Sequence, residues 1–323
     1  MKKLLITHLI IFLSLGTLFA QKPDYVLVIH GGAGSMNPER MSAEQVEEAQ
    51  TALQQALDAG EAILKAGGSA LDAVEAAVRF LEDHPAFNAG RGAVLNADGE
   101  IELDASIMDG SNLMAGAVAG VRTIKNPVTA ARKVMEASPH VLLIGEGAEK
   151  FALEQEIELT DPSWFHTVKS HEEHQRIKER LDKEGRKGTV GAVALDKNGN
   201  LAAATSTGGM AMKRFGRVGD VPIIGAGTYA NNESCAVSAT GHGEFFIRNV
   251  VSYDISALML YKNMSLTDAA NSVVMEKLLE QKGNGGVIAV DKEGNIAMPF
   301  NTTGMFRGFV KSSGETGIKI FKD

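Results

Sequence analysis

The chain of 323 residues has very little cysteine and no excess of positive charge. Its single cysteine, Cys235, has no partner for an internal disulfide, which excludes a disulfide scaffold and predicts a buried structural thiol. No group of cysteines and histidines has the spacing of zinc ligands. The net charge is −8, from 40 acidic and 32 basic residues, and no basic, aromatic-rich patch is present. These absences argue against a nucleic-acid partner.

The N-terminus has the pattern of an export signal. Lys2 and Lys3 precede a mostly apolar stretch over residues 4–19, and Ala20 is a small residue suited to cleavage. We therefore expect a signal peptide over residues 1–20 and a periplasmic or secreted protein with no membrane contact after its removal. A retained anchor is the alternative, although the stretch is short for a membrane span.

The remaining chain is predicted to alternate strands and amphipathic helices. A strand ends at His30 and leads into a glycine loop, Gly31–Gly34. The periodicity predicts helices that begin after Ser42, Ser69 and Asn126, a buried strand at residues 141–144, and helices at about 242–262 and 265–281.

Three similar segments predict hairpins, each built around a turn that contains glycine. They cover residues 93–104, 191–202 and 286–297. Hairpins combined with long amphipathic helices indicate antiparallel sheets covered by helices rather than βαβ alternation, which is an α+β architecture.

The junction Gly188-Thr189 is the most informative position. Before it, 12 of the 19 residues from Lys169 to Lys187 are charged, which predicts a flexible linker. After it, Val190 begins an apolar strand. If the bond before Thr189 is cut, one residue supplies both a hydroxyl nucleophile and an α-amino base of pKa about 7.7–8.0. A threonine that merely opens a strand is the alternative at this stage.

Further polar and glycine-rich segments recur on both sides of this junction. They are residues 87–92, 206–210, 217–220, 225–227, 239–244 and 302–305. In this order, over about 220 residues, they make the chain resemble the plant-type L-asparaginase and isoaspartyl peptidase family of N-terminal-nucleophile hydrolases. The resemblance covers essentially the whole chain after the predicted signal.

This resemblance implies a four-layer αββα sandwich that is made as an inactive precursor. The precursor would cut itself between Gly188 and Thr189. The products would be an α subunit, residues 21–188, that ends in the linker at 169–188, and a β subunit, residues 189–323. Together they would form one domain, and two such pairs would assemble into a heterotetramer.

The resemblance also implies roles for individual residues, each with a plainer alternative. Thr207 would orient the nucleophile Thr189, or simply end a strand. Thr240 and Gly241 would donate to the oxyanion, although Thr240 could instead cap a helix. Asn88 would contact the precursor or nucleophile region, or only form a turn.

The substrate contacts follow from the same resemblance. Arg217 would bind the α-carboxylate of the substrate and Asp220 its α-ammonium, although by spacing alone they read as a surface ion pair. Gly243 would face the substrate. His242 stands between two of these glycines, whereas the other histidines are expected to be surface or packing residues.

A structural sodium ion is the one possible inorganic component, and no cofactor is expected to be required for catalysis. The family has a sodium-binding loop, and backbone carbonyls suit a hard cation. Its ligands here would be the carbonyls of Leu81, Glu82, His84, Phe87, Ala89 and Arg91.

The resemblance implies a hydrolase that releases aspartate from small molecules, namely L-asparagine and β-aspartyl dipeptides. Two alternatives remain open from the sequence. One is a glycosylasparaginase, which cleaves sugar-linked asparagine by the same chemistry. The other is a periplasmic binding protein without chemistry, which would need an uncut chain.

Overall fold

A computed structural model of the chain describes residues 22–39, 41–180 and 188–322. Its strands are β1 (Val26–Gly34), β2 (Leu103–Asp109), β3 (Ala115–Val121), β4 (Leu142–Ile144), β5 (Val190–Leu195), β6 (Leu201–Thr207), β7 (Thr228–Ala230), β8 (Cys235–Gly241), β9 (Gly285–Asp291), β10 (Ile296–Ala297), β11 (Gly304–Lys311) and β12 (Thr316–Phe321). Its α-helices are α1 (Ala43–Lys65), α2 (Ala70–Asp83), α3 (Pro127–Ala137), α4 (Gly145–Glu154), α5 (Val168–Arg180), α6 (Gly243–Asn249), α7 (Val251–Lys262), α8 (Leu266–Asn271) and α9 (Leu278–Glu280), with a π-helical stretch, Ser272–Lys277, between the last two.

The strands form two sheets that face each other. One has eight strands in the order β12-β11-β1-β5-β6-β2-β3-β4, and the other has four in the order β10-β9-β8-β7. The buried core between them includes Val28 and Val193 from the larger sheet and Ile288 and Val290 from the smaller. Strand β5, which follows Gly188-Thr189, therefore lies in the middle of the larger sheet.

Helices cover the outer face of each sheet. Helices α1, α2 and α3 pack on the larger sheet around residues such as Leu53, Val74 and Val134. Helices α6, α7 and α8 pack on the smaller sheet around Phe246, Ile255 and Leu266. The predicted α+β, αββα sandwich is confirmed.

The helix starts that the sequence predicted are present for the expected reasons. Ser42 caps α1 in a capping box with Gln45, and the side chain of Ser69 accepts the backbone N–H of Asp72 at the start of α2. Helix α3 begins at Pro127, whose missing N–H costs nothing in the first turn.

Two predictions about strands are wrong. Strand β4 is exposed rather than buried, with Ile144 66% accessible, because it is the last strand of the sheet. It pairs parallel to β3 through helix α3, so one βαβ connection exists after all. The segment 93–104 makes a turn in which Asn96 N–H bonds Glu100 O, but residues 93–96 form no strand.

The helices predicted at 242–262 and 265–281 are interrupted. The first breaks into α6 and α7 at Val250, which has a left-handed backbone with φ 49°. The second begins at Leu266 after a Ser265 cap and passes through the π-helical stretch before α9.

The flexible-linker prediction is wrong for residues 169–180, which belong to helix α5. Its Glu, Lys and Arg residues are good helix formers, and Ile177 packs against Val94 and Ala211. A single apolar anchor on a charged helix was enough to dock it. The rest of the predicted linker, residues 181–187, lies outside the described part of the chain.

The predicted signal peptide, residues 1–20, also lies outside the described residues. Among the helices that the structure does describe, none is long and apolar enough to cross a membrane.

Candidate active site

Thr189 lies immediately before β5 and is buried, with 6% of its surface exposed. The next residue, Val190, pairs with Ser206 on β6, so the end of β6 lies beside Thr189. The hydroxyl of Thr189 donates to Thr207 Oγ1 at 3.3 Å. The sequence placed these two residues eighteen apart, and the hairpin of β5 and β6 brings their hydroxyls together.

The carbonyl of Gly188 is held by two side-chain donors. Thr207 Oγ1 donates to it at 2.9 Å, and Asn88 Nδ2 donates to it at 2.9 Å. Thr207 Oγ1 also accepts the backbone N–H of Gly209 at 3.0 Å. Two donors on one carbonyl withdraw electron density from its carbon, which is the atom that the Thr189 hydroxyl would attack.

Asn88 is fixed on both sides of its amide group. Its Oδ1 accepts the N–H of Val94 at 2.9 Å, and its Nδ2 also donates to Gly209 O at 2.8 Å. Its own backbone carbonyl accepts the N–H of Gly208 at 3.1 Å. Asn88 therefore does more than form a turn, because its side chain joins the loop after α2 to the Gly188 carbonyl.

The glycine loop at the end of β1 approaches the same bond from the other side. Gly32 has φ +111°, and a Cβ there would lie 3.0 Å from Gly188 Cα and 3.2 Å from Thr189 N. The pairing of β1 with β11 is irregular between His30 and Gly32. Only glycine combines this backbone conformation with so close an approach.

Thr240 and Gly241 end strand β8 near this loop. Thr240 Oγ1 accepts the backbone N–H of Ala33 at 3.1 Å. Helix α6 begins only at Gly243, with His242 at its cap position, so Thr240 does not cap it. A Cβ on Gly241 would overlap Asn284 O, which explains a glycine here.

Arg217 and Asp220, the two residues predicted to bind the charged groups of the substrate, both lie beside Gly243. A Cβ on Gly243 would lie 2.8 Å from Asp220 Oδ1 and 2.9 Å from Arg217 Nη2. Arg217 does not pair with Asp220 as a surface pair would. Its Nε and Nη2 each donate at 2.9 Å to the two carboxylate oxygens of Glu244, on the first turn of α6.

The carboxyl groups of this site have very different pKa values. Burial raises the pKa of Asp220 to about 7, with Arg217 opposing the rise. Its Oδ2 is buried and has no hydrogen-bond partner among the described residues. The hydrogen bonds from Arg217 lower the pKa of the more exposed Glu244 to about 2. Asp220 is thus a buried carboxyl with an unused oxygen, whereas Glu244 is already paired.

A cavity of about 1150 Å³ opens beside Gly188. Its lining also includes Gly31, Asn88 and Gly241. Helix α5 borders it through charged side chains, including Arg176. Ligands can therefore reach the Gly188-Thr189 region through an existing opening.

The loop expected to bind sodium follows α2 and contains a short 3₁₀ helix, Gly90–Gly92. A Cβ on Gly90 would overlap the carbonyl oxygen of Glu82, and one on Gly92 would overlap that of Phe87. Two of the six expected carbonyl ligands, those of Glu82 and Phe87, therefore point into the turn. The remaining four belong to Leu81, His84, Ala89 and Arg91 of the same segment, and that of Ala89 accepts the N–H of Gly92 at 3.1 Å.

Two residues at the site had no role assigned from the sequence. Glu244 follows Gly243 directly, and its charge beside the predicted substrate glycine was the available signal. His30 precedes the glycine loop and is fully buried, with Nδ1 3.0 Å from Thr189 O. His242 contacts helix α6 instead: its Nε2 lies 3.3 Å from Glu244 Oε2, and its ring packs against Phe245.

Comparison with known proteins agrees with this geometry. The asparaginase family model matches residues 23–320. The chain belongs to this family. An isoaspartyl peptidase from Escherichia coli is 53% identical over 306 residues, which cover 91% of this chain and 95% of the relative. The isoaspartyl peptidase of Salmonella typhimurium is also 53% identical, with 91% of this chain and 98% of that protein covered.

A more distant asparaginase-family relative is similar over nearly the same region. The isoaspartyl peptidase/L-asparaginase of Rattus norvegicus is 46% identical over 293 residues, covering 89% of this chain and 86% of the rat protein. The segments that carried the resemblance in the sequence all fall within the region that the family model matches.

Cys235, in strand β8, is fully buried, as a structural thiol should be.

Proposed function

We propose that the chain is a self-cleaving threonine hydrolase that releases L-aspartate from L-asparagine and from β-aspartyl dipeptides. The observation that carries this proposal is the arrangement at Gly188-Thr189. The hydroxyl of Thr189 donates to that of Thr207, and Thr207 and Asn88 both donate to the scissile carbonyl of Gly188. Relatives named isoaspartyl peptidase cover nearly the whole chain and support the assignment.

Self-cleavage would begin with attack of Thr189 Oγ on the Gly188 carbonyl carbon. The hydroxyl hydrogen of Thr189 points to Thr207 Oγ1, which can pass a proton onward. The carbonyl oxygen becomes an oxyanion that Asn88 Nδ2 and Thr207 stabilise. Collapse breaks the bond from Gly188 to the Thr189 nitrogen, which takes up the proton that the hydroxyl released, and leaves an ester on Thr189 Oγ. Water hydrolyses that ester to give Gly188 a carboxylate and Thr189 a free α-amino group.

The same oxygen then serves the substrate. The free amino group of Thr189 accepts the hydroxyl proton while Oγ attacks the side-chain amide carbonyl of the aspartyl group. The Thr240 hydroxyl and the Gly241 N–H would donate to the oxyanion. The proton passes to the departing nitrogen, which leaves as ammonia or as the amine of the second residue. Water hydrolyses the remaining ester and releases L-aspartate.

Substrate recognition would use the two charges that meet at Gly243. Arg217 offers a planar fork for the α-carboxylate, and Asp220 offers a buried carboxylate for the α-ammonium. Glu244 occupies the fork of Arg217 in the free protein, so the substrate carboxylate must share or displace that contact.

We further propose a sodium ion at the loop after α2. Backbone carbonyl oxygens suit a hard cation, and those of Glu82 and Phe87 lie against Gly90 and Gly92 in this loop. The ion would bind the partially negative carbonyl oxygens and hold the loop together, and this loop carries Asn88. We also propose export of the chain and assembly of two αβ pairs, where each pair consists of residues 21–188 and 189–323.

The test uses one preparation and three substrates: L-asparagine, β-aspartyl-leucine and aspartylglucosamine. We expect turnover of the first two by the wild-type protein, and none by Thr189→Ala, which should also remain uncut. Thr189→Ser should retain part of both activities. Turnover of aspartylglucosamine alone would favour the glycosylasparaginase alternative. Hydrolysis by purified Thr189→Ala would show that another residue is the nucleophile.

A further inference from the structure

A buried polar chain runs between the two sheets behind the nucleophile. It consists of His30, Ser238, Thr205, Thr228 and Ser106, all fully buried. The links are 2.9 Å from His30 Nε2 to Ser238 Oγ, 2.7 Å from Ser238 Oγ to Thr205 Oγ1, and 2.7 Å from Ser106 Oγ to Thr228 Oγ1. Thr228 Oγ1 donates to Thr205 Oγ1 and closes the chain. The rest of the space between the sheets is mostly apolar.

The two ends of this polar chain contact the two segments to which the proposed function assigns roles. At one end, His30 Nδ1 lies 3.0 Å from the carbonyl oxygen of Thr189. At the other, Ser106 Oγ lies 2.6 Å from the carbonyl oxygen of Val221, the residue after Asp220. The chain therefore links the backbone of the nucleophile to the segment that carries the substrate-binding carboxyl.

The hydrogen-bond directions can be assigned from the acceptors. A carbonyl oxygen only accepts, so His30 must carry its hydrogen on Nδ1 and donate it to Thr189. Burial lowers the pKa of His30 to about 3, so the ring is neutral and Nε2 accepts from Ser238. The hydroxyls of Ser238, Thr205 and Thr228 then donate toward the imidazole in turn, whereas the one hydroxyl hydrogen of Ser106 is shared between two acceptors, Thr228 Oγ1 and Val221 O. A neutral ring of one tautomer is consequently held from both sides.

The sequence around the imidazole is shaped to admit this chain. A Cβ on Gly191 would overlap both Ser238 Oγ and His30 Nε2, so β5 needs a glycine at this point. The pairing of β1 with β5 ends at His30 and Gly191, and Thr189 O lies beyond it. Beyond the last backbone pair, the imidazole of His30 makes the next contact between the two strands, through its hydrogen bond to Thr189 O. Buried polar groups are costly unless paired, so this hydrogen-bonded set of side chains in a mostly apolar layer has a structural purpose.

We propose that His30 is a positioning residue for the nucleophile: it holds the Thr189 carbonyl, and the hydroxyl chain from Ser238 to Ser106 fixes the imidazole relative to the Asp220 segment. The proposal rests on the proposed role of Thr189. After self-cleavage Thr189 loses its covalent link to Gly188, so contacts such as this one define where its hydroxyl and amino group lie. His30 touches no reacting atom itself.

The test compares His30→Asn, His30→Gln and His30→Ala. The amide nitrogen of asparagine can replace Nδ1 as donor, whereas glutamine reaches toward the position of Nε2. We measure kcat and KM for β-aspartyl-leucine, with kcat expressed per cleaved chain. We expect KM to stay within about twofold, kcat to fall about tenfold or more in His30→Ala and His30→Gln, and His30→Asn to recover most of that loss.

A second pair of variants keeps the test decisive if His30→Ala does not fold. Ser238→Ala removes one support of the imidazole, and Ser234→Ala removes another buried hydroxyl, which bonds Ser256 Oγ at 2.7 Å away from the nucleophile. Only Ser238→Ala should lower kcat per cleaved chain, by roughly threefold or more.

Unchanged kcat in His30→Ala, equal losses in His30→Asn and His30→Ala, or equal effects of the two serine variants would overturn the proposal. Thr189→Ala separates this outcome from failure of the proposed function. If Thr189→Ala is inactive while the His30 variants behave as wild type, the nucleophile stands and only the positioning role falls.

Discussion

Arg217 and Asp220 carry the two charges expected to recognise an aspartyl group, yet the free protein holds them differently. Arg217 already has a carboxylate partner in Glu244, whereas one oxygen of Asp220 is buried without a partner among the described residues. Binding of an ammonium group would therefore relieve an unfavourable state at Asp220. Binding of the substrate α-carboxylate at Arg217 would only replace one anion, the Glu244 carboxylate, by another.

The first prediction concerns Arg217. Arg217→Ala removes a bidentate, charge-assisted contact that contributes about 1.5–3 kcal/mol per hydrogen bond, so we expect a roughly ten- to hundredfold loss of kcat/KM. Arg217→Lys should recover only part, because an ammonium lacks the planar fork. Self-cleavage should survive, since the scissile bond has no free aspartyl end.

A matched control for that prediction is Arg248→Ala. Arg248 lies on helix α6 with Glu244, donates to the backbone carbonyl of Glu244 and stacks on Phe245, but it forms no ion pair with the Glu244 carboxylate. Its kcat/KM should stay near wild type. Equal loss of self-cleavage and hydrolysis in Arg217→Ala would mean that Arg217 only supports the fold.

The second prediction follows from the raised pKa of Asp220, about 7. Only the ionised carboxyl attracts an ammonium group, so affinity should fall as the pH drops below 7. Between pH 7.5 and 5.5 we expect the inhibition constant of L-aspartate to rise roughly ten- to thirtyfold. Inhibition, unlike kcat, does not require Thr189 to act as a base. Asp220→Asn should bind weakly and without this pH dependence, and an equally steep profile in that variant would contradict the assignment.

At the scale of single elements, features that depend on neighbouring residues were predicted correctly, whereas features that depend on long-range contacts were missed. The starts of α1 and α2 were predictable because Ser42 and Ser69 bond N–H groups within one turn of themselves. Helix α5 was missed because its docking depends on Ile177 meeting Ala211, which is remote in sequence. The parallel pairing and exposure of β4 likewise depend on which strand ends the sheet.

The same distinction applies to the site. Of the residues that the family resemblance indicated, Thr207 and Asn88 lie at Gly188-Thr189, and Arg217 and Asp220 lie at Gly243. The contacts of His30 with Thr189 and of Arg217 with Glu244 could not be read from spacing, because each joins separate elements. No short motif encodes the direction in which those side chains point.

The third prediction tests the packing of α3 on the larger sheet. A Cβ on Gly116, in β3, would overlap Ala131 O and press on Met135 of α3, so Gly116→Ala should destabilise the protein by about 1–3 kcal/mol. Gly147, in α4, has open space around its Cβ position, and Gly147→Ala should be neutral or stabilising by up to about 1 kcal/mol. Thermal unfolding should show a lower Tm only for Gly116→Ala, and equal Tm values would contradict this packing.

At the scale of the whole molecule, the sandwich is compatible with the proposed cut between Gly188 and Thr189. The segment before Gly188 and the strand after it belong to one fold, in which β5 pairs with β1 on one side and β6 on the other. The residues before the cut contribute β1 to β4 and helices α1 to α5. Cutting after Gly188 therefore divides the chain without dividing the sheet.

The most direct measurement of the central claim is N-terminal sequencing and mass spectrometry of the fragments in an active preparation. The account predicts that the C-terminal fragment begins Thr-Val-Gly-Ala, that it is present in the wild type and absent in Thr189→Ala, and that activity rises in proportion to the cleaved fraction. An intact chain that hydrolyses β-aspartyl-leucine, or a fragment that begins at any residue other than Thr189, would contradict it.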